Sequence, residues 1–427
     1  MSHLREAIPT LAPISRPRAG WWQRGLLLGP TANQEARNVH AAYLEIACSG
    51  LATGIAINFM AVFAVRLGAS DLVVGAVNAG PYLASLLWSL PAARLINDKR
   101  RLMPIMVASL FLYRLTYLLI ALVPSLLPRA QAEAIAVISF LGGFPMVTVN
   151  IAVFTMLAEA IAPEHLARVV SRRVAIGGLT SIISLLLAGL WLERLPFPFN
   201  YQVAYAVAFL ISIGSVWYMS RINLLGKAAS AGAGRMLSWR EQWQNLRRNR
   251  AFFLFLISAT FLHLSLNMST PLYPILVVKK LGASDGWVSI LLTLFTLTSV
   301  VGAWRMDWVI RRWGTRRTLA VTMLGLGVYT TFLAIAPSIA FLVPVHFFGG
   351  FLSAGFNVGL ANGLLEFSPE ENRGDFVAAY MFAMNIAIFV GPLLGSTLST
   401  LVGLIPALLV VAAMRTASGF VFQRLRY

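Results

Sequence analysis

The chain has 427 residues, 58% of them hydrophobic and only 12% charged, and carries a net charge of +18. Soluble proteins hold roughly 25% charged residues, so a soluble multidomain protein would lack the polar surface it needs. Crossing a bilayer takes about 20 apolar residues per helix. The long continuous runs here predict an all-α polytopic membrane protein, and they exclude a β-barrel, whose strands would show short alternating segments.

In chain order, residues 1–40 combine Arg5, Arg16, Arg18, Arg24 and Arg37 with four prolines. They lack the apolar core and small-residue cleavage site of a signal peptide. They are read as a cytosolic tail, with Trp21 and Trp22 resting at the headgroup level. Six apolar spans follow, at 41–66, 72–96, 102–124, 132–160, 169–192 and 200–220. Residues 221–250 join "KAASAGAG", a flexible composition, to the basic "WREQWQNLRRNR", which reads as an amphipathic surface helix. Six more spans occupy 251–278, 286–310, 317–337, 340–366, 375–399 and 403–423. The only cysteine, Cys48, falls in the first span, so no intramolecular disulfide can form.

The basic residues sort by side. Arg100, Arg101, Arg172, Arg173, Arg312 and Arg317 belong to even-numbered connections, while the odd-numbered loops hold only Arg66, Arg129, Arg194, Lys279 and Lys280. Basic residues stay cytoplasmic during insertion, so both termini are expected inside. The positive charge therefore reads as topology, and no nucleic-acid partner is expected.

The word LGASD occurs at Leu67–Asp71 and again at Leu281–Asp285, 214 positions apart. "GGFPMVTVNIAVFTMLAE" from Gly142 matches "GGFLSAGFNVGLANGLLE" from Gly349 at an offset of 207, pairing Asn150 with Asn357 and Glu159 with Glu366. The chain is thus read as two six-helix halves, 41–220 and 251–424, joined by a cytosolic linker at 221–250. Gly68 and Gly282 suit the left-handed C-terminus of a helix. Ser70 and Ser284 suit the cap of the next one, with Asp71 and Asp285 at its positive end. Capping accounts for these residues without any substrate role.

Six plus six helices in parallel repeats are one large transporter architecture. The chain resembles the major facilitator superfamily over 41–424. The second copy of that family's signature keeps Arg312, Gly314, Arg316 and Arg317; the first, looser copy keeps Arg100 and Arg101. The resemblance implies a fold of two pseudo-symmetric halves. It also implies a cavity lined mainly by spans one, four, seven and ten. A cytoplasmic gate is implied in which Glu159 pairs with Arg100 or Arg101, and Glu366 with Arg316 or Arg317. "AIFVGPLLG" (Ala387–Gly395) resembles the Gly-Pro motif of antiporters but sits on span eleven instead of five, so it says little about direction.

Polar side chains in hydrocarbon are costly and face a partner or a water-filled cavity. Thr260, His263, Asn267 and Thr270 recur at three and four residues on span seven, hence on one face. His346, Gly350, Ser353 and Asn357 form a stripe on span ten, matched on span four by Ser139, Gly143, Met146 and Asn150. Span two offers Asn78, Tyr82, Ser85 and Ser89. The expected substrate cavity is Tyr82, Asn150, His263, Asn267, His346, Ser353 and Asn357; Ser139 and Gly350 read instead as close-packing positions. Glu45, Arg114 and His263 are the candidates for proton coupling, because protonating a buried carboxylate links a proton to a conformational change. Arg415 is read as snorkelling toward the cytoplasmic face.

No phosphate loop, metalloprotease or hydrolase motif occurs, so no ATP drive, catalytic activity, metal or cofactor is expected. The expectation is a monomeric secondary transporter in a bacterial inner membrane, moving a small neutral or amphipathic solute. The competing expectations are a transporter-like scaffold or sensor without flux, and an intramembrane enzyme.

Overall fold

The computed structural model describes residues 30–96, 99–225, 249–369 and 373–424. The expected tail up to residue 29 and the linker core at 226–248 lie outside the described residues, as do Asn97 and Asp98. Twelve helices among the described residues are long and apolar enough to cross a membrane, and no strand occurs among them. The first half comprises α1 (Pro30–Arg66), α2 (Asp71–Ile96), α3 (Lys99–Leu126), α4 (Gln131–Ala160), α5 (Pro163–Leu192) and α6 (Phe199–Ser220). The second comprises α7 (Arg250–Lys280), α8 (Asp285–Met306), α9 (Trp308–Ala334), α10 (Leu342–Phe367), α11 (Arg373–Val402) and α12 (Leu404–Arg424).

Helix α1 begins at Pro30, inside the stretch expected as a tail. Glu35 and Asn38 explain the extension. Glu35 accepts from the Ala162 amide (2.9 Å) and contacts His165 (3.0 Å). Asn38 donates to the carbonyls of Ala160 (3.0 Å) and Asn223 (2.7 Å). These bonds tie α1 to the α4–α5 turn and to the end of α6. Helices α8 and α9 run as one helical segment that leaves helical geometry at Gly314 (φ 78°, ψ 159°). A left-handed φ of this kind favours glycine, and it re-aims the chain between two spans without a loop.

Both LGASD copies form the expected turns. Gly68 (φ 86°) and Gly282 (φ 63°) are left-handed, and Ser70 and Ser284 each accept from the amide three residues on (3.4 Å). The copies differ by one residue. The Ala69 amide bonds the Ala64 carbonyl, five residues back, whereas the Ala283 amide bonds Val277, six back. The extra residue belongs to the π-helical turn Ile275–Lys280 that ends α7. Arg66 and Lys279 each stand two residues beyond those accepting carbonyls, so they are structural equivalents despite the shifted spacing.

The apolar core is not one body. A single cluster spans both halves at the end that carries the LGASD turns, uniting Phe63, Val74 and Tyr201 with Leu272, Leu291 and Leu408. At the opposite end, where the basic connections lie, each half keeps its own cluster. One is built around Leu102, Met106 and Met156, the other around Phe252, Phe255 and Phe422. The halves therefore share a core at the turn end and have separate cores at the basic end.

Two helix crossings make the largest contacts between the halves, α2 on α11 and α5 on α8. Each brings a glycine against a serine. A Cβ on Gly75 would stand 2.2 Å from Ser396 Oγ, and one on Gly189 would stand 2.0 Å from Ser289 Oγ. Gly75 and Ser289 are 214 positions apart, the LGASD offset; Gly189 and Ser396 are 207 apart, the α4–α10 offset. The same contact is thus made twice, with glycine and serine exchanged between the halves.

Candidate functional site

The turn end holds a reciprocal set of bonds between the halves. Asp285, at the first turn of α8, accepts from Arg66 at the end of α1 (2.7 Å) and from Tyr201 of α6 (2.7 Å). Arg66 also donates to the Ala283 carbonyl (2.9 Å). The equivalent Asp71 faces Lys279 at the end of α7 (3.4 Å) and accepts from Ser399 of α11 (2.7 Å). Lys279 also donates to the Ala69 carbonyl (2.7 Å). Glu193, after α5, accepts from Ser284 and from the Gly286 amide. Each LGASD aspartate is thus gripped by the basic residue that precedes the other LGASD. The two pairs are unequal, since Asp285 is buried (7% exposed) whereas Lys279 is 38% exposed.

This set was not among the expected site residues. Capping explained Asp71 and Asp285, and it is present. The missed signal was Arg66 and Lys279, two of the few basic residues on odd-numbered loops.

Inside the first half, Glu45 of α1 lies 2.9 Å from Arg173 of α5, both buried. Arg173 also donates to the Ala42 carbonyl (2.8 Å). Arg114 of α3, buried at the same level, donates to Ser49, one turn along α1 from Glu45 (2.5 Å), and to the Tyr117 hydroxyl (3.1 Å). Two expected coupling residues are therefore neighbours, and Arg173, assigned to a cytoplasmic connection from sequence, is the partner of one. The third, His263, sits in the other half on α7, with its ring against Phe356 (5.1 Å) and Nε2 3.5 Å from the Tyr380 hydroxyl.

The expected cavity residues do not converge. His346 is buried at the turn end; Nδ1 meets the Leu342 carbonyl (2.9 Å) and Nε2 the Tyr273 hydroxyl (3.0 Å). Rings of Tyr273, Phe295 and Tyr329 surround it. Asn267 donates to the His263 carbonyl (2.8 Å) and packs against Gly391 of α11. Ser353 is half-buried. Tyr82 lines a cavity of about 180 Å³ walled by α1 to α4. Asn150 and Asn357 remain exposed, each heading an exposed stripe toward the basic end: Asn150, Phe154 and Ala158 on α4, Asn357, Ala361 and Leu365 on α10. Ser139, read as packing, donates to the Val77 carbonyl (3.0 Å). Gly350, read likewise, abuts Phe295 and Thr298 of α8.

At the basic end Glu159 is buried, whereas Arg100, Arg101 and Arg317 are exposed. Glu366 is exposed and makes no ion pair among the described residues. Arg316 donates to the Phe422 carbonyl of α12 (2.9 Å), and Arg312 stacks over Trp308 at 5.4 Å. The expected bond from Arg316 to Glu366 is replaced by one to helix-terminal carbonyls, which attract cations. Arg415 departs from expectation too. It does not snorkel but is 3% exposed, and it donates to Thr330 of α9 (2.5 Å) and Ser269 of α7 (2.5 Å). Hydroxyls on two neighbouring helices hold the guanidinium inside the bundle.

The family model described as Major Facilitator Superfamily matches residues 43–276 and 255–426. No curated protein sequence gives a significant match. Among solved structures, the nucleoside transporter NupG is similar in fold, with TM-score 0.71 and 12% identity over 92% of this chain and 100% of that one. The D-xylose-proton symporter gives 0.66 at 12% identity over 91% and 96%. A bacterial homolog to the human lysosomal transporter Spinster, inward-facing and unoccupied, gives 0.66 at 11% over 94% and 99%. At these identities the likeness is one of fold.

Proposed function

The chain belongs to the Major Facilitator Superfamily, and from that membership we propose a secondary transporter that moves a small neutral or amphipathic solute by alternating access. The observation that carries the reading is the unequal joining of the halves, with one shared core at the turn end and separate cores at the basic end. By the positive-inside rule the basic end is cytoplasmic, so this is the inward-facing arrangement. The LGASD turns then form the outer gate. The exposed stripes headed by Asn150 and Asn357 wall the central cleft, with His263 half-buried behind them. Glu45, held by Arg173, is the carboxylate best placed for proton coupling, since its protonation would release α1 from α5. The signature residues Arg100, Arg101, Glu159, Arg312, Arg316, Arg317 and Glu366 form the cytoplasmic gate when the halves meet there.

Purified protein in proteoliposomes, screened against a library of neutral and amphipathic solutes with and without a proton gradient, tests this. Saturable flux of at least one solute is expected. Asn150→Ala with Asn357→Ala should lower it at least about tenfold, the effect of losing two net hydrogen bonds of about 0.5–1.5 kcal/mol each. No flux across the library, or full flux in the double variant, would overturn the proposal.

A further inference from the structure

The cavity walled by α1 to α4 is partly open, and its lining comes from one half and not from both. Its walls are largely apolar, with Ile57, Met60, Ile120 and Met146 among them. Its polar groups are unusual in what they leave unused. Tyr82, half-buried, lines the cavity, and its hydroxyl has no hydrogen-bond partner among the described residues. Asn78 donates its amide to the Val74 carbonyl (2.9 Å), leaving Oδ1 without a donor. Arg114 donates to the Tyr117 hydroxyl (3.1 Å), and one further bond links Tyr117 to the Tyr113 hydroxyl (3.3 Å). Two phenols sharing one mutual bond leave one hydroxyl proton without an acceptor, whichever way that bond runs. The Arg114 guanidinium, 5.2 Å from the Tyr113 ring and 5.6 Å from the Tyr117 ring, polarises the pair from behind. A polarised chain of hydroxyls is a stronger donor than a lone one.

Two donors and an acceptor on residues that line one largely apolar cavity describe a ligand that would complete them. An apolar cavity of about 150 Å³ accepts benzene, and this one measures about 180 Å³, which leaves room for one ring and a short substituent. Arg114 itself does not line the chamber; its amino groups are bonded to Ser49 and Tyr117. No cation is thus presented to an anionic ligand. We propose that this cavity is a binding site for a small neutral single-ring molecule. A polar substituent on the ring would accept from Tyr82 and the Tyr113–Tyr117 pair and donate to Asn78.

A direct test uses ¹⁹F NMR of 4-fluorobenzamide with the purified full chain in detergent, beside 4-fluorotoluene and 4-fluorobenzoate as probes of similar shape. Saturable binding is expected for the benzamide, weaker binding for the toluene, and none for the benzoate. Tyr82→Phe and Tyr113→Phe should each weaken the benzamide by about three- to tenfold, the effect of one net hydrogen bond. Ala61→Phe should abolish binding by filling the chamber, and an unchanged melting temperature would show that each variant is folded. Absence of saturable benzamide binding overturns the proposal. So does equal binding of the toluene, tighter binding of the benzoate, or indifference to all three substitutions in folded protein. Binding is read without flux, so its failure leaves the transporter reading standing, and a failure of flux leaves this site standing.

Discussion

Asp285 combines three contacts at one carboxylate: the first turn of α8, Arg66, and the Tyr201 hydroxyl. Hydrogen bonds to charged groups contribute about 1.5–3 kcal/mol each when removed. Asp285→Asn keeps the shape and loses the charge, so it should weaken closure of the turn end by roughly 2 kcal/mol, about a thirtyfold shift. Cysteine labelling from the outside of sealed vesicles should rise accordingly at a cleft-wall position such as Asn150. Asp71→Asn should do less, within the 0–1 kcal/mol of exposed pairs, because Lys279 is 3.4 Å away and 38% exposed. Equal effects of the two substitutions would count against the ranking. Glu45 and Arg173 pose a different case. Removing one partner of a buried pair costs about 3–5 kcal/mol, because the other charge is stranded. Glu45→Gln alone should therefore lower the melting temperature in detergent more than Glu45→Gln with Arg173→Gln does. At this scale the sequence was only partly readable. Spacing at three and four residues placed His346 and Asn357 on one face, but spacing cannot say whether a face meets a cleft or an aromatic cluster. His346 meets Tyr273, Phe295 and Tyr329. Arg415 was misread for a related reason: snorkelling depends on nearby lipid, and Ser269 and Thr330 supply hydroxyls instead.

At the scale of elements, the two glycine–serine crossings make the duplication testable. Gly75→Ser alone would drive a side chain into Ser396, and Ser289 shows that the equivalent position in the other half takes a serine when its partner is Gly189. Gly75→Ser with Ser396→Gly should therefore melt within a few degrees of the parent, while Gly75→Ser alone falls well below it. A strained core contact costs about 1–3 kcal/mol, so the difference is measurable by thermal unfolding in detergent. If single and double variants melt alike, the crossings are not equivalent. The apolar runs revealed the helices because hydrocarbon leaves the backbone no alternative partner. The start of α1 stayed hidden because Glu35, Asn38 and their bonds to α4–α6 are long-range. The join of α8 and α9 stayed hidden because a left-handed Gly314 reads like any glycine in a basic loop. Legible repeats thus fixed the places of equivalent residues, though not what each touches across the halves.

For the whole molecule, the two aspartate grips act on one equilibrium, because both lie at the end where, among the described residues, the halves share a core. A residue pair that stabilises one of two states shifts the population by its differential energy and no more. Together the grips should contribute about 2–3 kcal/mol, roughly a thirty- to hundred-and-sixtyfold bias toward the closed turn end. Asp71→Asn with Asp285→Asn should therefore shift accessibility by about the product of the single effects if the halves rock as rigid bodies. A rigid-body change breaks both grips in one step, so the energies add. Local opening of each turn would break them separately, and labelling would then rise only beside the substituted aspartate. The measurement is the labelling rate, from the outside, of single cysteines at Asn150 and, in the other half, at Asn357, in each single and double variant. Parallel rises at both positions, greater in the double variant than in either single, fit two halves moving as bodies. A rise confined to the half that bears the substitution would show that the shared core at the turn end does not couple them.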